Sequence, residues 1–138
     1  MAVEALDNLV RIGQLKRESP DLAEVRRMLT QANTRWEDAQ QNNVSIDGRF
    51  ASIYGAAHAA ALAALRWHGY RSESRFMVFQ CLIHTLGWSS NRWRVLDVAH
   101  RKRNLAEYEG YLDIQESMVL ELIGLVRDLI ADVERLTV

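Results

Sequence analysis

One cysteine, one proline and no excess of charge set the first limits on this 138-residue sequence. Cys81 has no mate within the chain, so an internal disulfide is excluded, and the absence of cysteine pairs fits a reducing cytoplasmic setting. It lies in the apolar run Phe76-Met77-Val78-Phe79-Gln80-Cys81-Leu82-Ile83, which predicts a buried, inert thiol rather than a nucleophile. With Pro20 the only proline, little interrupts helix elsewhere. Glycine-rich phosphate loops and a Gly-x-Ser-x-Gly elbow are both missing. So is any pair of histidines, or a histidine and the cysteine, at metal-ligand spacing with supporting carboxylates, and neither a metal nor another cofactor is expected. The longest weakly charged stretch, Phe50 to Leu65, contains His58 and falls short of the ~20 apolar residues that span a bilayer. Met1 to Asp7 carries acids where an export signal would be basic, so no membrane partner is expected. Seventeen basic residues against eighteen acidic ones leave a net charge of −1, so any nucleic-acid binding must come from a local patch.

What is present is helical periodicity. About half the residues (49%) are apolar, enough for one core, and a single domain over 1–138 is expected. The pattern predicts an all-α, up-and-down bundle of five to six helices with no strands. The first runs from about Ala2 to Lys16 on Leu6, Leu9 and Val10. The second is expected to start at Ser19-Pro20, with Ser19 as cap, and carries Val25, Leu29, Ala32 and Trp36. A third, capped by Ser45 or Asn43, has seven alanines between Ala56 and Ala64. That thin surface admits close neighbours, making it the expected central helix. Gly69 ends it. Ser72 is expected to cap a fourth helix, with Phe76, Phe79, Ile83 and Leu86 facing inward. A fifth spans about Arg92 to Tyr108, and a sixth about Ile114 to Leu136.

The fifth of these carries the concentrated positive charge: Arg92, Arg94, Arg101, Lys102 and Arg103 against the single acid Asp97. Trp93, Leu96 and His100 share a face that continues into Arg103, Asn104 and Glu107. A face that begins apolar and ends His-Arg-Asn-Glu sets polar groups beside a core, where they need partners or a ligand. A phosphate site is one reading: the Arg103 fork on phosphate, His100 as acid or base, Asn104 orienting a reacting group. The other is an ion-pair network with Arg103 bonded to Glu107 one turn on. The remaining histidines suggest less. His58 reads as a hydrogen-bonded core residue, His68 as a partner of helix-end carbonyls, and His84 as partly exposed. Trp36, Trp67, Trp88 and Trp93 read as core, and Arg26, Arg27 and Arg35 as a solvated face.

The segment Arg101-Lys102-Arg103-Asn104-Leu105-Ala106-Glu107-Tyr108-Glu109-Gly110 resembles the Arg-Asn signature of HEPN-domain proteins. The likeness extends to Tyr54-Gly55-Ala56-Ala57-His58-Ala59-Ala60-Ala61-Leu62, Leu65-Arg66 and Gly69-Tyr70-Arg71. Leu6-Asp7-Asn8-Leu9 and Gly13-Gln14-Leu15-Lys16 resemble small bacterial members. The resemblance implies a helical bundle, often a homodimer, in which both chains contribute to one cleft. It further implies a toxin–antitoxin component: a metal-independent RNase, or the partner of a nucleotidyltransferase antitoxin. In active members a histidine follows the arginine by four to six residues. Here Tyr108 stands five positions after Arg103, and no histidine follows His100.

Two functions therefore stand open. In the first, the chain is a dimeric RNA-binding protein with possible RNase activity. Arg103 holds the phosphate, Asn104 and Glu107 orient, His100 or Tyr108 moves the proton, and Arg94, Arg101 and Lys102 add backbone contacts. In the second, the same helix face serves a non-catalytic scaffold that docks a nucleotidyltransferase.

Overall fold

The computed structural model describes residues 2–138, and the described chain is all-α apart from one two-residue strand pair. In order, the elements are α1 (Ala2–Arg11), β1 (Lys16–Arg17), α2 (Leu22–Asp38), α3 (Ile46–Trp67), β2 (Tyr70–Arg71), α4 (Arg75–Gln80), α5 (Leu82–Thr85), α6 (Ser90–Glu109) and α7 (Glu116–Leu136). Among the described residues no helix is long and apolar enough to cross a membrane.

The central position of α3 follows from its alanines. Ala56, Ala57, Ala60, Ala61, Ala63 and Ala64 are all buried, with α2 and α7 against the helix and α4, α5 and α6 completing its surroundings. Ser45 caps it, its Oγ accepting from the Gly48 amide at 3.1 Å. At the far end Gly69 takes the left-handed conformation, φ 94°, that turns the chain into β2. The indole of Trp36 ties the outer two helices together by donating to the Ile123 carbonyl of α7 at 2.9 Å. Because the alanine face is already closed, Ala60→Leu should destabilise the protein by about 1–3 kcal/mol. Urea denaturation checks this, and an unchanged midpoint would mean that the face has room to spare.

Several local expectations are corrected. The first helix ends at Arg11, not near Lys16, because Gly13 (φ 81°) breaks it; the chain then pairs antiparallel, Lys16 with Arg71 and Arg17 with Tyr70. The expected absence of strands fails at this one pair. Asp21 rather than Ser19 caps α2, its Oδ1 accepting from the Ala23 and Glu24 amides, since a carboxylate fits the positive helix end. Ser74 rather than Ser72 caps the fourth helix, which splits into α4 and α5 at Cys81. That shift leaves Phe76 exposed, edge-on to Trp93, while Phe79 enters the core. Cys81 is buried as expected, and burial pushes its thiol up to about 12.

Candidate functional site

Arg35 of α2, Arg75 of α4 and Arg103 of α6 line one cleft of about 790 Å³ whose floor is Tyr54 and His58 of α3. Each arrives for a local reason. Gly55 leaves room for Arg35: a Cβ at that position would stand 3.0 Å from the Arg35 Cδ. Arg75 is the first residue of α4, next to Ser74, whose Oγ caps the helix by accepting from the Met77 amide. Arg103 sits one turn below His100 on the face that Trp93 and Leu96 bury against the core. The guanidinium carbons of Arg75 and Arg103 lie 5.4 and 5.3 Å from the Tyr54 ring centroid, cation–π distances.

Tyr54 and His100 join α3 to α6. The Tyr54 hydroxyl is 2.9 Å from His100 Nδ1, and Asn104 Nδ2 is 3.2 Å from His100 Nε2. With the Asn104 amide so oriented, Nε2 accepts and Nδ1 carries the proton, donating to Tyr54; a turned amide would reverse both bonds. Burial raises the Tyr54 phenol above its ordinary range, with Arg75 and Arg103 opposing. Burial lowers His100, which Asp97 opposes and Arg103 and Arg75 reinforce. His58 is pushed down to about 4, first by burial and then by the charges of Arg75, Arg103 and His100. Both imidazoles are thus neutral at neutral pH.

The cations in this cleft are poorly balanced. Arg103 has Glu107 at 3.3 Å, a mostly exposed pair of little strength. Among the described residues neither Arg35 nor Arg75 has a carboxylate within ion-pair distance. Asp47 and Glu107 stand at the exposed rim. Such a site suits an anion with several oxygens.

Of the residues singled out from sequence, Arg103 and Glu107 line the cleft, whereas His100 and Asn104 bond to each other, and His100 to Tyr54, outside its lining. Tyr108 is 90% exposed and outside the cleft lining. The other cations of α6 point elsewhere. Arg101 holds the buried Asp97 at 2.5 Å, Lys102 donates to the Asp113 carbonyl at 3.2 Å, and Arg94 is exposed. Sequence reasoning missed Arg35, Arg75, Tyr54 and His58. Arg35 belongs to the cleft and not simply to a solvated face. His58 has no hydrogen-bond partner among the described residues, contrary to its reading as a bonded core histidine; its ring meets Phe79 edge-on. His68, by contrast, does satisfy a carbonyl, Thr85 O at 3.1 Å.

Nothing matches this chain among family models, curated proteins or solved structures. Its function must therefore be read from the cleft itself. Among the described residues no cluster of three or more His, Cys, Asp or Glu side chains is placed to hold a metal ion.

Proposed function

We propose that this chain is a HEPN-type helical bundle that binds RNA through the cleft between α2, α3, α4 and α6. The observation that carries the reading is the convergence of Arg35, Arg75 and Arg103 with too few carboxylates to neutralise them. Guanidinium forks match phosphate oxygens, and a local patch of this kind binds a polyanion even on a chain of near-zero net charge. The sequence resemblance around Arg103-Asn104 supports the same class. Cleavage, if it accompanies binding, would require His100, which lies outside the cleft lining, to exchange its bond to Tyr54 or Asn104 for one to the substrate; Tyr108 of the same chain is exposed and also outside that lining.

Pairing with a second copy is part of the proposal. Val98, Leu105 and Leu120 are exposed, and Val95, Val98 and Met118 line a separate groove between α6 and α7. That apolar stripe lies on a different side of α6 from Arg103 and suits a protein contact, so the pairing proposed here does not join the two Arg103 clefts into one as the resemblance implies. The alternative reading, a non-catalytic scaffold for a nucleotidyltransferase, is favoured by the absence of an imidazole at the Tyr108 position. It would use the same stripe.

Fluorescence anisotropy with single-stranded RNA tests the main reading. Arg103→Ala should weaken binding about tenfold and reduce the salt slope by about one, as expected for a lost phosphate contact. Arg27→Ala, on the exposed side of α2, should change neither. No binding at low salt would exclude the RNA reading and leave the scaffold. Sedimentation of a monomer at high micromolar concentration would exclude the dimer.

A further inference from the structure

The cleft contains one kind of group that phosphate does not explain. Arginines only donate, and three of them line the cleft, Arg75 and Arg103 over the Tyr54 ring and Arg35 beside Gly55. The carboxylate acceptors, Asp47 and Glu107, lie at the exposed rim, and Glu107 is taken up by Arg103. His58 stands on the floor, one turn after Tyr54 on α3, lining the cleft with no hydrogen-bond partner among the described residues. His100, by comparison, has both ring nitrogens bonded. The floor therefore offers a free imidazole nitrogen beside two guanidinium groups.

A neutral acceptor next to an anion site has a specific use. A carboxylate there would repel the phosphate; an imidazole does not. What such an acceptor can bind is a hydroxyl close to the phosphate. In a ribonucleotide the 2′-hydroxyl is one sugar carbon from the 3′-phosphate, and deoxyribose lacks it. We infer that His58 is a specificity-determining residue: with the phosphate on Arg75 and Arg103, its free ring nitrogen accepts the 2′-hydroxyl of the same nucleotide, so the cleft selects ribose over deoxyribose. This rests on the nucleic-acid reading above and adds the sugar to it. Burial first, and then the charges of Arg75 and Arg103, keep His58 unprotonated and so able to accept.

The competing outcome is distinct. A bound phosphate could draw a proton onto His58, turning it into one more phosphate donor, and the site would then be blind to the sugar. The test uses the intact protein and two single strands of identical base sequence, one ribose and one deoxyribose. The wild type should bind the ribose strand about tenfold more tightly, the worth of one well-placed hydrogen bond. In His58→Phe the ratio of the two affinities should fall to near one, whereas His58→Gln, which keeps an acceptor, should retain part of the preference. Imidazole nitrogen NMR on the wild type needs no variant. The His58 resonances should report an acceptor nitrogen hydrogen-bonded on adding the ribose strand only. Equal wild-type affinities, a preference that survives in His58→Phe, or protonation of His58 by either strand would overturn the inference while leaving the phosphate site standing. Failure to bind either strand would instead remove the nucleic-acid reading itself.

Discussion

Arg66→Leu should cost about 2–4 kcal/mol, because it removes a buried guanidinium and strands the carbonyls that it serves, while its carboxylate partners Glu24 and Glu18 keep some access to solvent. This would consume much of the ~5–15 kcal/mol that holds a typical domain folded. Arg66 is 1% exposed. Its Nε donates to Glu24 Oε1 at 2.7 Å, one terminal nitrogen to the Glu18 carbonyl at 2.9 Å, and the other to the Ser19 carbonyl at 2.7 Å. One side chain on α3 thus fixes α2 and the segment linking β1 to it. Arg71 shares Glu18 and Glu24 but is 30% exposed, so Arg71→Leu should cost no more than about 1 kcal/mol. Urea unfolding of the two variants should separate them clearly; equal, small losses would show that Arg66 is dispensable. The pair also makes a pH statement. Glu24 is held below its ordinary 4.5 by the Arg66 hydrogen bond, against burial and with help from Arg71. Its stabilisation is present above the unfolded pKa and is lost as pH falls through the lower folded value. Arg66→Leu should flatten that acid limb.

Arg66 also shows what the sequence withholds. The helices were legible because their signals are local: the alanines of α3, Gly69 at its end, and apolar residues at steps of three and four. The His100-Arg103-Asn104 face was legible for the same reason, since one helix carries all of it. Arg75 was not. It is a lone cation at the start of a six-residue helix, and only packing against α3 brings it to Tyr54. Arg35 read as part of a solvated face because it lies in a run of charged and polar residues. The one hint was Gly55, a side chain missing from a helix otherwise lined with alanine, where Arg35 now passes. The strand pair was invisible because two residues carry no alternation, and Lys16 and Arg71 are far apart in the chain. His58 was misread because burial and bonding usually go together for histidine; here the ring is half-buried but faces a cleft.

The cleft's cations act on each other as well as on a ligand, so Arg75→Glu should produce two effects at once. RNA affinity should fall on the order of a hundredfold, because a phosphate donor is replaced by a like charge facing the phosphate. Arg103 would then have a carboxylate neighbour across Tyr54, which competes further for its fork. The second effect is on His58. Arg75 is the largest electrostatic cause, after burial, of its fall from 6.5 to about 4. Reversing that charge should raise the His58 pKa towards its ordinary value, measured by NMR titration without any ligand. The sign of the stability effect follows. In the wild type the folded protein keeps His58 neutral while the unfolded chain protonates near 6.5. Its contribution is complete above that pH and is lost as pH falls towards about 4. In Arg75→Glu the two pKa values approach each other, so this part of the acid sensitivity should shrink even as RNA binding collapses. A variant that loses binding with His58 unmoved would place Arg75 on the ligand but away from the imidazole. One that shifts His58 and still binds RNA with wild-type affinity would remove Arg75 from the phosphate site altogether.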